Sequence, residues 1–266
     1  TDRNRTSPFA FTGNKFEFRM VGSSASISEA NIVLNTAVAE ELKQFADYLE
    51  NAKDFTSSLH ELIKNTISEH KRIIFNGNGY NDEWVKEAEN RGLLNLKSTP
   101  DCLPYFLNEK NVKLFTEHKV LSETEMKARY EIMLENYSKT INIEALTMVD
   151  MVNKDILPAI SKYVCALSET VKARKEACPD LSGGFEEERI KTLSSLEKTI
   201  YSEVGKLEKL LVNVDGKNSL ETAEYFRNEV FASMQALRID VDMAESITDA
   251  KAWPYPSYGE LLFGVR

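Results

Sequence analysis

FEEERIKTLSSLEKTIYSEVGKLEKLLVNV, residues 185–214, decides the architecture. Its apolar residues fall at Leu193, Leu196, Ile200, Val204, Leu207, Leu211 and Val214. Steps of three and four place them on one stripe of an α-helix, as in a coiled-coil seam. Acids at Glu186, Glu187 and Glu188 suit the positive end of a helix dipole, so this charge run reads as a solvated first turn. Asp215-Gly216 is a turn signal, and residues 219–245 repeat the pattern with Ala223, Phe226, Val230, Leu237, Val241 and Ala244. Two long helices joined by so short a loop are antiparallel neighbours.

Upstream of this pair, Ser122-Glu123-Thr124-Glu125 has the form of a capping box. It opens a helical stretch reaching about Ala177, with Pro158 as its expected kink or break. Residues 179–184 form a loop. Earlier still, residues 26–52 carry a helical stripe from Ile27 to Leu49, with Ser26 or Ser28 as the expected N-cap. A second helix runs from about Phe55 to Phe75, until Asn76-Gly77-Asn78-Gly79 stops it. A third runs from near Asn81 to Gly92, and Ser98-Thr99-Pro100 introduces a short one bearing Leu103 and Leu107. The tail, Trp253-Pro254-Tyr255-Pro256, is aromatic and proline-rich and is expected to dock on a surface.

Composition sets outer limits. Eleven glycines and seven prolines in 266 residues are too few for an all-β chain of many tight turns. A net charge of −9 argues against non-specific binding to nucleic acid or to an anionic membrane. No apolar run is long enough to span a bilayer, and no signal peptide opens the chain. Cys102, Cys165 and Cys178 show neither metal-ligand spacing nor a pairing pattern, which reads as reduced thiols in a cytosolic protein. The chain begins on a dense polar motif at Thr1 rather than on Met, and is expected to be a piece of a longer protein.

The first 22 residues differ from the rest. Lys15-Phe16-Glu17-Phe18-Arg19-Met20-Val21 alternates with period two, the pattern of a half-buried strand. Lys15, Glu17 and Arg19 share one face, and Phe16, Phe18 and Met20 the other. On spacing alone such a charged face is mostly a solvated strand face with cross-strand ion pairs. It also has the parts of a phosphoryl-transfer site: a carboxylate for a hard divalent cation and guanidiniums for phosphate oxygens. Other motifs carry less. Asn76-Gly77-Asn78-Gly79 lacks the preceding strand and following Gly-Lys of a phosphate loop. His60 and His70 stand ten residues apart, which is not ligand spacing. His118 is alone, and all three histidines read as surface or packing residues. Tyr130, Tyr137 and Tyr163 read as packing.

Residues 2–24, DRNRTSPFAFTGNKFEFRMVGSS, resemble a signature segment of type III glutamine synthetases. Asn4-Arg5 is similar to that family's loop pair, and Lys15 to Arg19 to its basic-x-Glu-x-Arg strand. The helix at 26–52 and the helices from Leu103 to Tyr130 also fit. At matching positions, Glu17 resembles the glutamate that holds the cation bridging nucleotide phosphates. Arg19 resembles the arginine that binds substrate glutamate and its γ-phosphate. Arg5 resembles the arginine contacting the transferred phosphate, and Lys15 a basic residue near the nucleotide. Ala10 stands where types I and II carry a second arginine, with Arg3 as the candidate replacement.

The resemblance implies a mainly α chain: a short N-terminal β element from a catalytic sheet, then an antiparallel helical bundle with a long coiled-coil-like hairpin. Residues 1–52 would end the catalytic domain, 53–145 form its helical C-terminal part, and 146–266 be a type III extension. It further implies a cytoplasmic ATP-dependent ligase joining glutamate and ammonia, using ATP and Mg2+ (or Mn2+), in a dodecameric ring, with this chain inactive by itself. The alternative is a helical oligomerisation module with no catalytic role of its own.

Overall fold

The computed structural model describes residues 7–13, 15–19, 22, 25–180, 184–214 and 218–264. It is mainly α-helical with a two-stranded antiparallel sheet near its start. The chain forms two compact units, residues 1–130 and 131–266.

In the first unit, β1 (Phe9–Phe11) pairs with β2 (Phe16–Phe18), Ala10 standing opposite Glu17. The Lys15 carbonyl accepts the Thr12 N–H at 2.9 Å, and Gly13 at φ 98° supplies the left-handed residue of the turn. The strand is shorter than the alternation over 15–21 predicts, and Lys15 belongs to the turn. Its first hydrogen-bonding partner is local, where a sheet elsewhere was expected. Met20 lies outside the described residues. The two faces also differ from expectation. Ala10 is 1% exposed, whereas Phe9, Phe11, Phe16 and Phe18 remain between 48% and 63% exposed. The rings stack on one another, Phe9 on Phe16 at 5.3 Å.

Most helices of this unit begin at a side-chain cap, but the first does not: its N-cap position is Ile27, where Ser26 or Ser28 was expected. α1 spans Ser28–Glu50; the Ser26 hydroxyl accepts the Ser28 N–H, and Ile27 makes no side-chain cap. α2 is Phe55–His70, capped by Asp54, with a 3-10 turn at Lys71–Ile73. α3 is Asp82–Asn90, capped by Asn81, and ends before Gly92 at φ 73°. Between them Phe75 stacks on Trp84 at 3.9 Å, and a Cβ at Gly77 would lie 2.5 Å from the Phe75 ring. α4 is Thr99–Phe106, capped by Ser98. A further helix that the spacing did not reveal, α5 (Glu109–Glu117), packs on α1 and α4. The Ser122–Glu125 capping box is formed: Glu125 N–H reaches the Ser122 hydroxyl, and Ser122 N–H reaches Glu125 Oε2 at 2.7 Å. It opens α6 (Glu123–Met151), which continues into the second unit.

The second unit is a bundle of long rods. α6 runs through a π-helical segment, Val152–Ile156, into α7 (Leu157–Ala177). Pro158 cannot donate to the carbonyl four residues back; just before it the Leu157 N–H reaches five residues back to Val152. The expected break is thus absorbed as a widened turn. α8 is Gly184–Val212. α9 (Ser219–Tyr225), a second π segment (Phe226–Val230) and α10 (Phe231–Ile247) form the returning rod. Arg174 and Lys175 at the end of α7 pair with Glu186 and Glu187 at the start of α8, and Asn153, just before α7, bonds Glu208 near the other end of α8. That order is the signature of antiparallel packing.

α8 is the centre of this core. Leu193, Leu196, Ile200, Val204 and Leu207 are buried against α7 on one side and α10 on the other. Beside the seam stands Glu203, whose buried Oε2 faces the Asp240 carboxyl. Burial, then the charge of Asp240, pushes its carboxyl above the ordinary value of 4.5. The tail docks as expected: Trp253 and Tyr255 pack on the core, and the Tyr255 hydroxyl donates to Asp155 Oδ2 at 3.0 Å. Burial and the Asp155 carboxylate push that phenol up to about 12. α11 (Tyr258–Phe263) follows, closed by a Ser257–Glu260 capping box.

Leu237 on α10 is wholly buried against this seam. Leu237→Ala is expected to lower the opening free energy of α8 and α10 amides by about 2–5 kcal/mol. Hydrogen exchange measures it, and a change under about 1 kcal/mol would mean the seam is not what holds the rods.

Candidate functional site

The hairpin brings two of the predicted residues together. Glu17 on β2 and Arg19 just past its end share one face, and Arg19 directs two nitrogens at a single carboxylate oxygen. Nη2 lies 2.8 Å and Nε 3.2 Å from Glu17 Oε2. The side chains are half-buried, 18% exposed for Glu17 and 27% for Arg19. A partly desolvated, charge-assisted pair of this kind holds the carboxylate in one orientation more firmly than an open surface pair does. Beneath it runs Ala10, whose small side chain is the buried residue of β1. Lys15 is exposed at the turn. Arg3, Asn4 and Arg5 lie outside the described residues.

Glu17 offers the hard oxygen donor that a divalent cation selects. Among the described residues, no three of His, Cys, Asp and Glu converge as a metal site. The donor set therefore fits such a cation only in part: one carboxylate, positioned by its arginine.

A second pairing in the first unit had no counterpart in the sequence reading. Lys119, at φ 55°, ends α5 in a left-handed cap: its own N–H bonds Thr116 and the Val120 N–H bonds Phe115. That turn carries His118 to α1, where Nε2 lies 2.7 Å from Glu40 Oε2. The partners are 78 residues apart, so no spacing could reveal them. Gln44 donates to the other Glu40 oxygen at 2.8 Å. The Gln44 bond first, and the His118 bond second, hold the Glu40 carboxyl below its ordinary value. His60 and His70 are exposed on α2, as expected. Cys102, Cys165 and Cys178 are exposed free thiols. No helix among the described residues is long and apolar enough to cross a membrane.

Residues 58–175 match the glutamine synthetase C-terminal domain. The chain is 42% identical over 276 aligned residues to a glutamine synthetase of Butyrivibrio fibrisolvens, covering 100% of this chain and 38% of the relative. Over its whole length the chain is similar to the C-terminal part of glutamine synthetases. Its likeness extends to the type-3 enzyme of Dictyostelium discoideum, 38% identical over 271 residues (99% of this chain, 37% of the relative). It is 32% identical over 279 residues to a glutamine synthetase of Bacteroides fragilis (strain YCH46), again 99% of this chain and 37% of the relative. The chain thus spans well under half the length of these relatives.

A depressed carboxylate stabilises the fold above its ordinary value and loses that contribution as pH falls through its folded value. For Glu40 the loss falls below pH 4.5. Glu40→Gln is expected to melt earlier than the parent at pH 7, with the gap closing as pH drops below 4.5. Thermal melts across that range measure it; a gap independent of pH would show that the carboxylate's charge is not what joins α1 to α5.

Proposed function

We propose that the protein to which this chain belongs is an ATP-dependent glutamate–ammonia ligase, and that β2 supplies part of its active-site wall. The observation that carries the reading is the oriented Glu17–Arg19 pair, standing on a hairpin within a chain that matches glutamine synthetases over its whole length. A glutamate carboxylate is a poor electrophile, and its mixed anhydride with phosphate is a good one. ATP therefore phosphorylates the side-chain carboxylate to γ-glutamyl phosphate, and ammonia then displaces phosphate.

In that scheme Glu17 binds a magnesium or manganese ion through a carboxylate oxygen. Bound there, the cation would neutralise charge developing on the transferred phosphoryl group. Arg19 keeps Glu17 oriented and offers guanidinium N–H groups to substrate carboxylate and phosphate oxygens. Arg5 contacts the transferred phosphate, and Lys15 lies toward the nucleotide. The task of these groups is positioning and charge neutralisation.

The hairpin also calls for further partners. Two strands alone are marginal in water, and the four exposed phenylalanines leave one face uncovered. Both features fit a hairpin that joins a larger catalytic sheet. On this reading residues 1–52 close the catalytic domain, 53–145 are its helical C-terminal part, and 146–266 are an added helical extension. The long rods of the second unit favour a further role in assembly, within a large homo-oligomeric ring of twelve copies in the cytoplasm.

Glu17→Ala in the full-length protein is expected to lower glutamine formation by roughly a hundredfold or more, as removal of a transition-state charge partner does. Activity at the parent's level under saturating magnesium would end the ligand assignment. The chain of residues 1–266 assayed alone is expected to form no glutamine.

A further inference from the structure

α8 packs against both α7 and α10, but α6 and α10 do not close on each other. Between them lies a groove of about 500 Å³. Its floor is Val152 and Leu237, which are core residues. Met148 and Met151 rise on the α6 side, and Met234 and Val241 on the α10 side. The α10 wall runs from Met234 to Glu245, about 16 Å at 1.5 Å per residue, or three helical turns. Trp253 and the latched Tyr255 close one end.

The charged residues of the rim are negative on balance. Glu144 stands on α6 and Glu245 on α10, both exposed, and among the described residues neither has an ion-pair partner. Arg238, the base of the lining, is paired with Asp242 at 3.3 Å. Two uncompensated carboxylates therefore flank a methionine-lined slot of helical length. Methionine walls adapt to varied apolar side chains, and a groove between two helices receives the apolar face of a third.

We propose that this groove docks an amphipathic helix of a partner protein, with apolar residues at i, i+4, i+7 and i+11 and lysine or arginine along its flanks. Basic flanks answer Glu144 and Glu245, and acidic ones are repelled. The protein's own α11 does not match: it has six residues, under two turns, and carries Glu260. The inference is independent of the ligase reading, since no groove residue belongs to the hairpin.

The test uses the full-length protein and a fluorescein-labelled synthetic helix of four turns, with leucines at those positions and lysines beside them. A matched peptide carries glutamates in place of the lysines. The lysine peptide is expected to bind more tightly by roughly tenfold or more in fluorescence anisotropy. Glu144→Lys combined with Glu245→Lys should erase or invert that preference. Both positions are exposed, and unchanged glutamine formation and assembly size would show the variant intact. Equal binding of both peptides, or binding of neither, overturns the proposal. So does a charge-reversed protein whose assembly size changes while peptide binding does not, because the groove would then be a contact between copies of this chain.

Discussion

The apolar seam of α8 is the constraint on which the second unit depends. A helix with one apolar stripe has one place to hide it; Leu193, Leu196, Ile200, Val204 and Leu207 are hidden on two sides at once. α7 and α10 must then run antiparallel to α8 and approach within side-chain contact. Polar features of the bundle follow from that arrangement. The Arg174 and Lys175 ion pairs join the α7 end to the α8 start. The Tyr225 hydroxyl reaches the Leu210 carbonyl across the other turn at 2.8 Å. Glu203 is carried toward Asp240 because its neighbour Val204 must be buried. Two π segments keep Val152, Ile156, Phe226 and Val230 turned inward where a regular helix would drift out of register.

The first unit is organised differently. It has few buried side chains on its longest helices: Thr36 alone is buried on α1, and none on α2. Most of its ordered features are local: the Ser122–Glu125 capping box, a left-handed cap at Lys119, the Phe75–Trp84 stack and the β1–β2 hairpin, while the Glu40–His118 pair spans 78 residues. The hairpin's Glu17–Arg19 pair is of the local kind, two residues apart in the chain. A charged pair so close in sequence keeps its geometry wherever the strand is extended. This suits the role proposed for the hairpin.

Helix starts and stops were largely legible in the residues, because each has a local chemical cause. Ser122 with Glu125, Asn81, Ser98 and Gly92 do what their side chains or backbone freedom predict. α5 was missed because Glu109–Glu117 is short and its stripe is interrupted. β1 was missed because Phe9-Ala10-Phe11 is too short for alternation to register. Pro158 was read as a break because a regular helix has no way to spare an N–H; a π turn does. At the site, the alternation correctly placed Glu17 and Arg19 on one face. It misjudged coverage, since the aromatic face stayed exposed and Ala10 with Glu17 was the more enclosed.

The residues alone determined what short-range chemistry determines: the helix stripes, most of the caps, the antiparallel order of the last two long rods, and the face shared by Glu17 and Arg19. Tertiary structure decided everything that needs residues distant in the chain to meet. It set Glu40 against His118, seated Tyr255 on Asp155, and left α6 and α10 apart with a groove between them. The reason is that period and capping are properties of a helix or strand by itself. Which apolar stripe meets which, and where two fail to meet, depends on the volume and direction of side chains on three rods at once.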